Sequence, residues 1–574
     1  MDSRSAAHVL SRIAAYLELA GQNRFKSRAY QMAARSLLAL AADDLAPMLR
    51  SGELARVRGL GPATLAVVRD LVETGESRYL EELRETTPEG LLELMDVPGL
   101  GVEKIHKLHA AIGIESLSDL EAAARDGRLA KVKGMGPKTA QKILKGIEFM
   151  RDAAVLKLYP HAAVEANAIL GAVRSHPDVL RAEIAGSIRR RREVVADVDI
   201  VAGCGASPRE VAQSFTRTSG IRSTSGDDAA VSIRYVDGTR MDLYCVPVPD
   251  FAVALWRATG SAEHVQGVLE HVADSGFRLA GDTIRDAHGR VVDCADESKV
   301  YLALGLAHVP PELREGRGEI EAAAARALPR LVDVQDLKGV LHCHSLYSDG
   351  KSTVAEMASA ARAKGWSYLG ISDHSQAAFY ASGVSREAML EQHDEIDALN
   401  RTFSDFRLLK GVEADILADG RLDYDDELLD RFDYVIASIH SRFKMDGTAM
   451  TDRVLRAMDD PHMTILAHPT GRLLLSRDAY ALDVEAVLQK AADVGVAIEI
   501  NADPHRLDLD WRYLHRAKEL GVTIEIGPDA HSRGALDWTE LGVAMARKGW
   551  LESRDILNAR SADDVIAFAK RRFE

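Results

Sequence analysis

Apolar residues recur three and four apart through residues 4–50, at Val9, Ile13 and Leu17 and again at Tyr30, Leu37 and Leu38. Many alanines lie between them and nothing alternates like a strand, so the pattern predicts helices. Past residue 150 the period changes. A helix is expected near Ala162–Ser175, then short alternating segments at 196–201 and 239–244 that read as strands. From residue 336 onward, short apolar runs alternate with amphipathic stretches, as in a parallel sheet wrapped by helices. The chain therefore reads as multidomain, helical first, α+β in the middle and α/β at the end. Its 574 residues exceed what one core sustains, and about three to five domains are expected.

Three similar units punctuate the helical part: Val57-Arg58-Gly59-Leu60-Gly61-Pro62, Val97-Pro98-Gly99-Leu100-Gly101-Val102 and Val132-Lys133-Gly134-Met135-Gly136-Pro137. In each, two glycines flank a Leu or Met and open a helix. Such a turn presents backbone N–H groups at a helix N-terminus, where a phosphate oxygen binds. The units resemble the helix-hairpin-helix, which holds the DNA backbone through amides rather than a broad basic surface. Glycines needed only for the geometry of ordinary helix–helix turns are the alternative.

Charge enters against that background. The net charge of −15 argues against a polyanion partner, but basic stretches stand at Arg189–Arg192 and at Lys131, Lys133, Lys138, Lys142 and Lys145. Local field decides where a phosphate backbone docks. With 47% apolar and 28% charged residues the composition is that of an ordinary globular protein. No apolar run is long enough for a membrane helix and no apolar signal core follows Met1, so a cytoplasmic location is expected. Cys204, Cys245, Cys294 and Cys343 lack the spacing of a disulfide framework or a thiolate zinc site.

In Ala196-Asp197-Val198-Asp199-Ile200-Val201, a strand reading puts Asp197 and Asp199 on one face, with Val198 and Ile200 to the core. A third acid, Asp242, lies in Thr239–Tyr244 after the turn Asp237-Gly238. Carboxylates on adjacent strands repel unless divalent cations neutralise them, and a pair of such cations suits in-line phosphoryl displacement. Gly186, Ser187 and Arg190 would hold a triphosphate through amide, hydroxyl and guanidinium donors.

These segments, Gly-Ser-x-Arg-Arg followed by Asp-x-Asp and a strand Asp, resemble the nucleotidyltransferase palm of family X DNA polymerases. Thr259-Gly260-Ser261 resembles the family's segment near the incoming nucleotide, so Gly260 and Ser261 are expected there. Leu304-Gly305-Leu306 and Pro310–Glu315 resemble the close of the thumb in the bacterial branch. The resemblance implies template-directed gap filling with Asp197, Asp199 and Asp242 as the catalytic acids around Mg²⁺ or Mn²⁺. This chain departs from the family at Arg257 and Ala258, where two aromatics are usual, at Val265, where an Asn contacts nucleotide, and at Leu269, where an Arg stands. The lysine of the family's deoxyribose-phosphate lyase falls at Val67, which offers no amine for a Schiff base.

The C-terminal part carries the second chemistry. In Leu341–Gly350 a strand runs into a loop, placing His342 and His344 on one face, Cys343 on the other and Asp349 just beyond. Alone, the pair is more often incidental than ligating. Further strand ends follow, at His374, Glu413, His440, His468, Ile498–Asn501 and Asp529-Ala530-His531. Side chains from the C-terminal ends of parallel strands converge on one mouth. The set His342, His344, Asp349, His374, Glu413, His440, His468, Asp529 and His531 resembles the ligand set of the PHP (polymerase and histidinol phosphatase) family. That resemblance implies a distorted (βα)7 barrel with three ions of Mn²⁺ and/or Zn²⁺. It assigns His342, His344, Glu413 and Asp529 to one ion, Glu413, His440 and His468 to a second, and Asp349, His374 and His531 to the third. Arg472 and Arg506, each just past a strand end, are expected to contact substrate phosphate, with a rim salt bridge as the alternative.

The whole chain thus resembles a bacterial family X DNA polymerase with a C-terminal PHP domain. The expected divisions are a helical DNA-binding domain over 1–90, helix-hairpin-helix fingers over 91–150, a palm over 151–246, a thumb over 247–330 and the PHP domain over 336–574. The expected function is DNA repair: gap filling with deoxynucleoside triphosphates on gapped or nicked DNA, plus 3′→5′ exonuclease activity in the PHP domain. The family also implies abasic-site cleavage and 3′-phosphate removal, and a monomer is expected. Alternatives are a DNA-binding nuclease on a weakened palm, a small-molecule phosphoesterase of the histidinol-phosphatase type, and a non-catalytic DNA scaffold.

Overall fold

The computed structural model describes the chain apart from residues 2, 20–23, 41–43, 58, 76, 87–89, 96, 98–99, 145–146, 148–155, 227, 237, 274–275 and 574. It divides into two compact units, Met1–Val155 and Leu156–Glu574. No helix among the described residues is long and apolar enough to cross a membrane.

The first unit is helical. The run expected over 4–50 resolves into Ser3–Leu19, Arg24–Leu40 and Ala46–Ser51. Leu10, Ile13, Leu17 and Leu37 form its core together with Val67 and Val68 of the helix Pro62–Thr74. A second cluster gathers Leu94, Ile105, Leu108, Leu120 and Ile143.

The second unit opens with the helix Tyr159–Arg174 packed on a five-stranded sheet. The central strands Val198–Cys204 and Arg240–Pro247 run parallel, while Val179–Ile184, Ala230–Tyr235 and Ile221–Ser225 complete the sheet antiparallel. Val198 and Ile200 go to the core as expected from alternation, but the ladder starts at Val198, so Asp197 sits just ahead of the strand rather than in it. Trp256, Val300, Tyr301 and Leu313 gather the helices that follow into a cluster of their own.

Beyond residue 336 all the paired strands are parallel and lie in two sheets. One holds Gly339–Val340, Tyr368–Ile371 and Arg407–Lys410. The other holds Glu413–Asp415, Val435–Ser438, Met463–Leu466, Ala497–Asn501 and Ile524–Gly527. Isolated bridges, Cys343 to Ala530 and His374 to Glu413, join the two. The expected strand through His344 is therefore regular only to Val340, yet the alternation persists: Cys343 packs in an apolar cluster while His342 and His344 turn the other way. Gly370 and Gly411 lie against the Tyr434 ring, where a Cβ at either position would overlap it, so this break between the sheets needs glycine.

Candidate functional site

The residues at the C-terminal ends of these parallel strands converge on Glu413, which is 1% exposed. Its Oε2 lies 2.9 Å from His374 Nδ1, 3.3 Å from His342 Nε2 and 3.6 Å from His344 Nε2. Its Oε1 lies 3.0 Å from His468 Nε2 and 3.3 Å from His440 Nε2. Asp529 Oδ1 stands 3.1 Å from His344 Nε2, and Asp349 Oδ1 stands 3.1 Å from His531 Nε2. The His344 ring stacks between His374 and His531, at centroid distances of 4.5 and 4.2 Å. All nine residues singled out in the sequence meet here. His468 (φ 27°) and Asp529 (φ 48°) take left-handed backbone, the strain that clusters at functional sites.

The donor atoms form three overlapping sets with mutual separations within 4.8 Å: His344, Asp349, His374 and His531; His342, His344 and Asp529; His374, Glu413 and His440. The sets differ from the expected partition in sharing His344 and His374 rather than Glu413, which falls in one set only, and in leaving out His468, which still faces Glu413. A divalent cation fits the chemistry of these donors. His342 Nε2 and Glu413 Oε2 are buried, face each other and make no hydrogen bond. Mixed imidazole and carboxylate donors suit Mn, Zn or Fe. Burial, with His531 and His374 nearby, lowers His344 to about 4, and burial with Arg506 lowers His468 to about 3, leaving both neutral and competent to ligate. Burial alone would raise the Glu413 carboxyl; His374, His440 and His342 outweigh it and hold it well below its usual range.

Two carboxylates that back the cluster escaped the sequence reading. Glu499 Oε1 lies 2.5 Å from His342 Nδ1, and its Oε2 accepts from the His468 backbone N–H at 2.6 Å. Asp415 Oδ1 lies 2.8 Å from His440 Nδ1. Each fixes an imidazole with Nε2 turned toward Glu413, the arrangement by which an outer carboxylate orients a metal-binding histidine. The signal was present: Glu413-x-Asp415 alternates on one strand, and Glu499 interrupts an apolar one.

The two arginines part company. Arg472 is committed to the protein itself, donating to the Arg506 carbonyl at 3.0 Å, to the Leu507 carbonyl and to Asp510 at 2.5 Å. That is the salt-bridge alternative rather than the substrate contact expected for it. Arg506 instead stands 3.6 Å from Asp529 Oδ2, at the edge of the cluster.

On the five-stranded sheet, Asp199 and Asp242 are register partners on parallel strands. Burial, then Asp197 and Asp242, push Asp199 up to about 7, and burial with Asp242 raises Asp197. The Arg240 guanidinium offsets part of this charge, 2.8 Å from Asp242 Oδ2 and 3.7 Å from Asp197 Oδ2. Carboxylates so crowded call for a cation. Gly186 (φ 59°) presses on Asp199, and a Cβ there would overlap the carboxylate. Next to it Ser187 Oγ is buried with no hydrogen-bond partner, as a donor awaiting a ligand would be.

Arg190 is not left free beside them: it donates to the Thr259 carbonyl at 2.8 Å and to Glu315 at 3.2 Å. Arg189 donates to Thr259 Oγ1 at 2.7 Å, so the Gly-Ser-x-Arg-Arg turn and the Thr259–Ser261 segment meet. Ser261 Oγ caps the helix Ala262–His271, and Gly260 lies close against Val265 and His264. Arg257 pairs with Asp282 at 2.7 Å.

The three glycine units of the first unit share one backbone hydrogen bond. Leu60 N–H donates to Val57 at 3.1 Å, Leu100 to Val97 at 3.0 Å and Met135 to Val132 at 2.9 Å. Gly59 (φ 97°) and Gly134 (φ 88°) take left-handed backbone; Gly99 lies outside the described residues. Gly61, Gly101 and Gly136 immediately precede helices, and a Cβ on any of them would meet nothing within 4 Å. Val67 packs in the core, 3% exposed.

Residues 1–77 match a helix-hairpin-helix domain, 91–148 a SAM-like helix-hairpin-helix tandem, 254–315 a DNA polymerase beta thumb and 341–503 a PHP domain. The chain is 36% identical over 575 residues to the DNA polymerase/3′-5′ exonuclease PolX of Bacillus subtilis, covering 100% of both chains. A probable phosphatase of Syntrophotalea carbinolica is 32% identical over 168 residues, which are 28% of this chain and 64% of that one. One of Acetivibrio thermocellus is 32% identical over 164 residues, 28% of this chain and 63% of the relative.

Proposed function

Because this chain belongs to the family X DNA polymerases that carry helix-hairpin-helix domains and a PHP domain, we infer that it is a DNA repair enzyme with two active centres. One extends a 3′ end into short gaps, and the other removes nucleotides from 3′ ends. The observation that carries the reading is the pairing of two built clusters in one chain: Asp199 beside Asp242 under the Gly186–Ser187 turn, and eight further histidines and carboxylates gathered about Glu413.

In the first centre Asp197, Asp199 and Asp242 hold Mg²⁺ or Mn²⁺. Ser187 Oγ and the turn amides take the triphosphate, with Arg190 once it leaves Glu315, and Gly260 and Ser261 border the nucleotide. In the second, the parallel strands, with Arg407–Lys410 and Glu413–Asp415 counted as one strand interrupted at Gly411, are read as a distorted seven-stranded barrel closed by the Cys343–Ala530 bridge. Its nine ligands hold three ions of Mn²⁺ and/or Zn²⁺, and Arg506 contacts a phosphate oxygen from the Asp529 side. Divalent cations supply Lewis acidity to both centres. The chain's own residues supply orientation: Glu499 and Asp415 fix His342 and His440, and Asn501 Nδ2 donates to Asp529 at 3.1 Å. The same hydrolytic centre would serve abasic-site cleavage and 3′-phosphate removal. The amides of the three glycine turns hold the backbone of gapped or nicked DNA, and the protein acts as a cytoplasmic monomer without lyase activity at Val67.

One reading competes on a specific observation. Arg240 already sits on Asp197 and Asp242, and Arg257 pairs with Asp282 where the family has an aromatic. Both favour a nuclease whose polymerase is weak. Gapped DNA incubated with and without nucleotides, across Mg²⁺ and Mn²⁺, separates the two. Wild type should extend and degrade, Asp197→Ala/Asp199→Ala only degrade, and His342→Ala/His344→Ala only extend. Extension absent from wild type under every condition would leave the nuclease alone.

A further inference from the structure

The turn that begins at Gly186–Ser187 is finished by residues of the C-terminal α/β region. Lys548, the last residue of the helix Thr539–Lys548, has a side chain with no exposed surface. Its Nζ donates to Glu315 Oε1 at 2.6 Å, to the Arg190 carbonyl at 2.9 Å and to the Glu312 carbonyl at 3.3 Å. Glu315 accepts at the same time from Arg190 Nε at 3.2 Å and Arg192 at 3.3 Å. Trp511 lies alongside, its ring 4.5 Å from Lys548 Nζ, and its Nε1 donates to Glu193 at 3.1 Å. Arg512 holds the other oxygen of Glu193 at 2.7 Å. A buried ammonium is costly unless fully paired, and all three donors of this one are used on the turn and its neighbours.

We propose that Lys548 is a positioning residue for nucleotide binding, setting how tightly Glu315 holds Arg190 and so how readily Arg190 turns to a triphosphate. The proposal rests on the polymerase reading of the acid triad. A triphosphate must draw the Arg190 guanidinium away from Glu315 Oε1. Lys548 shares that oxygen, and its charge weakens the carboxylate's claim on Arg190. Its hold on the Arg190 carbonyl keeps the turn in place while the side chain moves. Burial lowers the Lys548 ammonium against the pull of Glu315, to about 8, which leaves it charged at neutral pH. The C-terminal region thereby belongs to the nucleotide site as well as to its own metal cluster.

The test uses full-length K548M, E315Q and the double variant. Steady-state gap filling reads the nucleotide KM and kcat, and anisotropy of a fluorescent deoxynucleoside triphosphate reads affinity directly. Exonuclease activity on single-stranded DNA reports the fold of the C-terminal region. K548M should raise the KM about tenfold with kcat within about twofold, the pattern of lost binding rather than lost chemistry. E315Q should lower the KM, and the double variant should follow E315Q. An unchanged KM in K548M with exonuclease intact overturns the proposal, as does a double variant that follows K548M. Should K548M lose exonuclease as well, E315Q decides, and an unchanged KM there overturns it. Wild type that neither extends nor binds nucleotide would instead remove the polymerase reading beneath it.

Discussion

The histidine cluster and the palm carboxylates gather negative charge, which the proposed function assigns to cations, in opposite ways. Around Glu413 the charge is compensated from within: five imidazoles face one carboxylate, and a further layer, Glu499 and Asp415, locks two of the rings. The palm has three acids, one guanidinium and a glycine turn, with its turn pinned from the thumb and from Lys548. The difference teaches that the histidine centre is preorganised by its own scaffold, while the palm centre is assembled from three regions. Damage to the former should therefore stay local, and damage far from the latter should still reach it.

The largest effect is expected from Glu413→Gln. One neutral amide in place of the shared carboxylate removes the negative charge that five histidines face and one of its two oxygens. Exonuclease activity should fall on the order of 10³-fold, with bound metal lost and gap filling retained. Metal content by elemental analysis and both activities check it; gap filling lost in parallel would mean that the centres are not separable. Gly186→Ala attacks the other side. The added methyl displaces either the turn or Asp199, and a displacement near 1 Å costs about 100-fold in catalysis. Extension should drop accordingly while exonuclease is untouched. Equal loss of both would refute the assignment of that turn to the palm alone.

Glu499→Gln comes next. It keeps the shape of the side chain but removes the charge behind His342, and outer-layer changes of this kind cost about 10- to 100-fold in metal affinity or activity. Titration of the metal-free protein with Mn²⁺, followed by exonuclease rate, reads both. Affinity equal to wild type would show that the cluster is organised by its ligands alone.

How much of this was legible in the sequence follows from the range of the forces involved. The helical unit, the glycine turns and the strand-end histidines were readable because each depends on local periodicity or on one residue type at a fixed offset. The fate of a long charged side chain was not. Arg472 looked like Arg506, yet one is consumed by Asp510 and two carbonyls while the other faces Asp529. Arg190 is drawn to Glu315, and Glu193 to Trp511, partners remote in sequence that no local pattern announces. Strand limits shifted for a related reason: Asp197 and His342 lie where a pairing partner, not their own propensity, decides whether the ladder continues.

The smallest expected effect falls on both centres alike and concerns the glycine turns. Within a unit the two glycines have different reasons to be there. Gly134 holds a φ of 88°, which a side chain resists, whereas Gly101 has a φ of −80° and Gly136 is absent from the positive-φ residues. A Cβ at either of the latter two meets nothing within 4 Å. The fold therefore does not demand glycine at Gly101 or Gly136, and the open space there leaves the helix N-terminal amides accessible to a close approach from outside the chain. Gly101→Ala/Gly136→Ala should leave stability within about 0.5 kcal/mol of wild type, as changes on open surface do. It should still weaken DNA binding about three- to tenfold, since each methyl stands between the amides at the helix N-terminus and a phosphate. Below saturating DNA, extension and exonuclease should decline in the same proportion, unlike any of the changes above. Thermal melts and DNA affinity together decide: unchanged affinity in a stable protein would return these glycines to ordinary turns and leave DNA recognition to other parts of the chain.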